Sequence, residues 1–106
     1  MQVEKWDASR WGEFSEESLR KKLEEDGYSV SRYVYPPRTV FPDHSHSIDK
    51  KDAVISGKMM IEIEGRPYLL EAGDTLSVPA GVVHSAKVVG SQPVVSLDAT
   101  RNPRIA

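Results

Sequence analysis

The 106-residue sequence contains no cysteine. That absence excludes disulfides, thiolate metal ligands and thiol nucleophiles together, and it fits a reducing compartment. No apolar run approaches the roughly 18 residues that a membrane-spanning helix needs. The first residues, Met1-Gln2-Val3-Glu4-Lys5, carry no apolar signal region, so a cytoplasmic location is expected. There is no surplus of basic residues either. The formal net charge is -2, which gives nucleic-acid binding no electrostatic support. With 39% apolar and 28% charged residues, the composition suits one soluble globular domain. A chain this short buries only about two-thirds of its unfolded surface, so a homodimer that buries more is expected.

The first 27 residues differ in texture from the rest. Ser15 is a helix N-cap candidate, and Glu16 and Glu17 place negative charge where the helix dipole favours it. A helix over 16–26 follows, with Leu19 and Leu23 on one face and Gly27 as its stop. Such a helix packs on the outside of a larger body. Trp6 and Trp11 are expected to anchor the arm that precedes it to that body or to a partner subunit.

From Tyr28 onward the pattern is one of short strands broken by proline and glycine. The alternation predicts strands at 29–35, 39–46, 51–56, 58–63, 66–70, 75–78, 83–89 and 93–99. Turns fall at Ser56-Gly57, Glu64-Gly65, Ala72-Gly73-Asp74 and Pro79-Ala80-Gly81. Gly57 is expected to let Lys58–Ile63 return antiparallel to the strand before it. Eight strands at near-even spacing with no further helix indicate an all-β fold, a small antiparallel barrel or sandwich. The expected organisation is an arm and helix over 1–27, a barrel over 28–100 and a loosely held tail over 101–106 that contains Pro103. Met59, Ile61 and Ile63 share one strand face and read as core lining.

Only three histidines are present, His44, His46 and His84. Side chains two apart on a strand point the same way, so His44 and His46 share a face. An HxH pair alone is equally well two incidental surface residues. In a small barrel, however, inward positions from neighbouring strands meet in one cavity, and His84 opens another strand. Neutral imidazole is a common metal ligand, and three of them leave positions open for water or substrate.

Around these histidines the sequence resembles the cupin superfamily, in particular its small single-domain (monocupin) members. Gly73, Pro79, Gly81 and His84 fit the spacing Gly-x5-Pro-x-Gly-x2-His of one cupin motif, and His44, His46 and Gly57 fit the other. The matched region runs over roughly residues 30 to 100, with residues 58–72 between the motifs reading as a hairpin. The resemblance implies a jelly-roll-like barrel, a double-stranded β-helix, that holds a divalent metal through His44, His46 and His84. Three departures accompany the match. Lys50 stands where the family places a metal-binding Glu, Arg38 where it places Gly, and Val88 where it places Asn. An ammonium cannot ligate a cation.

Losing the Glu leaves three readings open. The metal has three protein ligands, and Lys50 swings out to solvent. A neighbouring carboxylate substitutes, with Asp52 better placed than Asp49 by strand parity. Or the site holds no metal, and Lys50 with the histidines forms a cationic pocket for an anion. Nitrogen ligands without thiolate suit Fe(II), Mn, Ni, Cu or Zn. The function expected is that of a dioxygenase or a metal-dependent isomerase or lyase acting on a small molecule. Lys50, Arg38 and Tyr35 are the candidate substrate contacts, and no acid–base pair independent of the metal is evident. The alternative is a non-enzymatic binding or sensing protein.

Overall fold

Ser15 fixes the start of the main helix by a reciprocal cap. Its hydroxyl accepts from the Ser18 amide at 3.0 Å, and the Ser18 hydroxyl accepts from the Ser15 amide at 2.8 Å. The structure, a computed structural model, describes residues 1–102. A single turn, α1 (Ala8–Trp11), precedes that helix, α2 (Glu16–Glu25). The short turn was not evident in the sequence; it rests on one Asp7 cap rather than on apolar periodicity. Eight strands follow: β1 (Ser29–Tyr35), β2 (Val40–His44), β3 (Asp49–Ser56), β4 (Lys58–Ile63), β5 (Arg66–Leu70), β6 (Thr75–Val78), β7 (His84–Val89) and β8 (Val94–Arg101). The expected tail beyond Asn102, Pro103 included, lies outside the described residues.

The strands form two antiparallel four-stranded sheets, in the orders β1-β8-β3-β6 and β2-β7-β4-β5. They pack face to face as a jelly roll rather than closing into one continuously bonded barrel. Gly57 consequently does something other than form a hairpin between β3 and β4. Those strands belong to different sheets, and the glycine carries the chain across at φ +83°. The hairpin expected over 58–72 is β4–β5, paired from Met59↔Leu70 to Ile63↔Arg66.

The core fills the space between the sheets. Val54, Met59, Ile61, Ile63, Leu70, Leu76, Val78, Val88 and Val94 form its buried cluster. A second cluster lies outside the first sheet, where Leu19 and Leu23 of α2 cover Ala53, Leu97 and Ala99. The central strands β3 and β8 are therefore covered on both faces. The arm is tied down twice. Glu4 and Thr75 exchange backbone bonds at the free edge of β6 (2.8 and 2.9 Å), and Trp6 and Phe14, edge-on to each other, pack against the cluster beneath α2. No helix is long and apolar enough to cross a membrane among the described residues.

Arg38 does occupy a glycine-type position, with φ 71°. Thr39 N donates to Pro36 O at 3.2 Å, and Pro37 fills the second place of this turn. Proline there with positive φ at the next residue makes it a type II turn. Arg38→Gly should relieve the left-handed strain and outweigh the entropy that glycine adds to the unfolded chain. We expect a gain of about 0.5–1 kcal/mol, read as a Tm rise of roughly 3–6 °C. An unchanged or lower Tm would show that the turn holds arginine without strain.

Candidate metal centre

The three imidazoles converge at one end of the cavity between the sheets, each delivered by a different local device. His44 ends β2, His84 opens β7, and the two are direct cross-strand partners. A bulge between Phe41 and His44 resets the parity of β2, so that both Phe41 and His44 face inward. His46 lies two residues beyond the end of β2, contrary to the predicted strand 39–46. The strand stops early because the Pro79–Gly81 turn docks on this loop. Gly81 N donates to His46 O at 2.8 Å, and Ala80 N donates to Asp49 Oδ1 at 2.9 Å. The turn before one histidine thereby positions another.

One donor nitrogen from each imidazole falls within 4.8 Å of the other two. The ring centroids are 4.2 Å (His44–His84), 4.8 Å (His44–His46) and 5.3 Å (His46–His84) apart. Second contacts orient two of the rings. His44 Nδ1 lies 2.7 Å from Pro42 O, and His84 Nδ1 lies 2.9 Å from Val82 O. A carbonyl only accepts, so each Nδ1 carries a proton, and in the neutral ring the lone pair is then on Nε2. His46 Nε2 is buried with no hydrogen-bond partner. Burial, and next the charge of Lys50, hold the His46 pKa below its ordinary value, which keeps that imidazole neutral. Three clustered imidazoles, one with an orphaned nitrogen, fit a divalent transition metal.

The cavity has a volume of about 160 Å³ and is lined by Tyr35, Phe41, His44, His46, Lys50, Asp52, His84, Ala86 and Asp98. Its far wall belongs to the other sheet. Asp52 and Asp98 stand directly opposite each other on β3 and β8. Like charges in that relation repel, and three side chains relieve them. Lys50 Nζ lies 3.4 Å from Asp52 Oδ1 and 3.8 Å from Asp98 Oδ2. Tyr35 Oη donates to Asp98 Oδ2 at 2.9 Å, and Ser96 Oγ donates to Asp98 Oδ1 at 2.7 Å. Burial raises the Asp52 pKa, against the opposing pull of Lys50. Burial and the neighbouring Asp98 likewise raise that of Tyr35.

Lys50 does not swing out to solvent; its side chain is 14% exposed and lies against the two carboxylates. The two Asp charges, with strand parity, turn it inward. Asp52 shares the cavity, while the close group of donor nitrogens consists of the imidazoles alone. Asp49 lies outside the cavity, committed to Ala80 N and, at 3.7 Å, to Arg101. Arg38 sits on its exposed turn, also away from the lining. Asp98 and Ser96 were missed from the sequence. Their signal was faint: two polar residues on one face of the otherwise apolar run Val94–Ala99.

The cupin-domain family profile matches residues 31–100, which contain both histidine turns and the whole far wall. The chain is a cupin. No curated protein matches this cupin in sequence. Solved structures share its fold at low identity. A conserved protein of unknown function from Streptococcus pyogenes superposes with TM-score 0.64 at 22% identity, over 72% of this chain and 65% of that one. A predicted oxalate decarboxylase from Thermotoga maritima gives 0.63 at 20% identity, over 76% and 71%. The DMSP lyase DddQ from Ruegeria pomeroyi gives 0.61 at 25% identity, over 74% of this cupin but 41% of that chain. This cupin thus spans less than two-thirds of the S. pyogenes protein and well under half of the lyase.

Proposed function

We propose that this cupin binds one divalent transition metal through His44, His46 and His84 and catalyses a proton-transfer reaction, an isomerisation or elimination, on a small molecule. The observation that carries this reading is the orphaned, buried Nε2 of His46, facing two imidazoles whose tautomers backbone carbonyls fix. A bound metal supplies Lewis acidity, drawing electrons from a ligating oxygen. The chain's own contribution is the opposite wall. Asp98 is committed through both oxygens to Tyr35 and Ser96, whereas the ion pair of Asp52 among the described residues is with Lys50, at 3.4 Å. Asp52 is therefore the group free to accept a proton from a substrate held between the walls. Tyr35 and Ser96 keep Asp98 in place, and Phe41 and Ala86 narrow the space.

That second wall favours proton transfer over the dioxygenase reading, because it adds the acid–base groups that the sequence alone had not revealed. A metal-free cationic pocket draws less support. Asp52 and Asp98 beside Lys50 offset its charge, so that wall carries no net positive charge.

The test uses tag-free protein, elemental analysis and NMR in D2O with a panel of small hydroxy and oxo compounds. The expected result is about one equivalent of a single metal. Metal-dependent deuterium uptake at a substrate carbon should fall at least about tenfold in Asp52→Asn. Absence of metal after incubation with Fe(II), Mn, Ni, Cu and Zn would sink the proposal. Oxygen consumption without deuterium uptake would replace it by the dioxygenase reading, and silence in both by a non-enzymatic binder.

A further inference from the structure

The geometry points to Lys50 as the residue that selects the substrate: we infer that it receives the carboxylate of a small acid whose second oxygen meets the histidine cluster. The inference rests on reading that cluster as a metal centre. Lys50 lines the same cavity as the three imidazoles, on the wall across from His44 and His84. Its partners leave it spare capacity. An ammonium has three donors, and neither carboxylate is at the 2.7–2.9 Å of a short charge-assisted bond. Asp52 lies at 3.4 Å and Asp98 at 3.8 Å, and Asp98 is already held by two hydroxyls.

The two aspartates act as a rail. They keep the ammonium inside the cavity without saturating it, so an entering anion gains a donor that needs no reorganisation. Size narrows the class further. A cavity of about 160 Å³ has room for roughly five waters, hence for an acid of only a few carbons. A short hydroxy or oxo acid offers the two oxygens needed to touch both walls.

The rival role for Lys50 is purely structural, neutralising the facing Asp52 and Asp98. Glycolate and its uncharged isostere glycolamide separate the two roles. Their affinities would be measured by calorimetry on Zn-loaded wild type, Lys50→Met and Lys50→Arg, with metal content checked in each. Recognition predicts that the preference for glycolate falls about tenfold or more in Lys50→Met and is largely kept in Lys50→Arg. A preference unchanged in Lys50→Met would overturn the inference. The Lys50 ¹⁵Nζ resonance of wild type gives a second readout that needs no variant to fold. It should move as glycolate saturates the protein and stay still with glycolamide. A wild type that takes up no metal sinks the metal reading, whereas a metal-loaded protein whose Lys50 signal ignores glycolate sinks this one.

Discussion

His46→Ala is expected to abolish stable metal binding while leaving the metal-free protein folded. The two halves of that statement have different causes. Removing one of three protein ligands should cost more than the 10–100-fold in affinity typical of losing a supporting second-shell contact. Two imidazoles on adjacent strands would then hold the metal too weakly to survive gel filtration. Without metal, His46 contributes a buried nitrogen that bonds to nothing, an arrangement that costs about 1–3 kcal/mol. Alanine removes that penalty along with the ring's packing, so the metal-free variant should melt close to wild type. The contrast appears on adding metal. Wild type should gain about 2.7 kcal/mol at a metal concentration 100 times Kd, and the variant almost nothing. Thermal melts of both proteins with and without Zn, beside elemental analysis, provide the measurement. A metal-induced shift of equal size in both would show that His46 is not a ligand.

Gly57→Ala should be the most damaging single-methyl change in the chain. A Cβ at that position would sit 2.3 Å from Pro93 O and 3.0 Å from Val94 Cα, both backbone atoms. Neither can yield without shifting the start of β8, whose Val94 is fully buried. The φ of +83° adds the ordinary left-handed cost for an L-residue. Together these amount to about 3–5 kcal/mol, a large share of the roughly 5–15 kcal/mol that holds such a domain together. Urea unfolding should show the midpoint falling steeply with an unchanged slope. By comparison, Gly65→Ala should cost far less, because a Cβ there meets nothing within 4 Å and only the strain at φ +77° remains. Equal losses at the two glycines would refute the steric account.

The contrast between these positions bears on what a sequence can disclose. Turn chemistry and strand alternation are local, so the eight strands, the Ser15 cap and the awkward backbone at Arg38 were all legible. So was the gathering of the three histidines, because the spacing of the turns encodes it. Partnership across sheets is not local. Gly57 reads as a hairpin glycine in either topology, and only the crossing from one sheet to the other reveals the close approach of Pro93. Asp98 was illegible for the same reason. Its role depends on Asp52 standing opposite in register, 46 positions earlier in the chain. Of the readings open for Lys50, the outward one fails, although a lone lysine ordinarily seeks water. The carboxylates that turn it inward are visible only once β3 and β8 are paired.

The strand order also carries a message about timing. The sheet bearing the histidines, β2-β7-β4-β5, uses only residues 40–89. The sheet bearing Lys50, Asp52 and Asp98 has β8, the latest in sequence of the eight described strands, at its centre, between β1 and β3. During synthesis the histidine sheet can therefore assemble while the opposite one still lacks its middle, since contacts distant in sequence form late. The acid wall closes over the imidazoles only when the final strand inserts. The three imidazoles, which could hold a metal, can thus be gathered before the wall that faces them is complete.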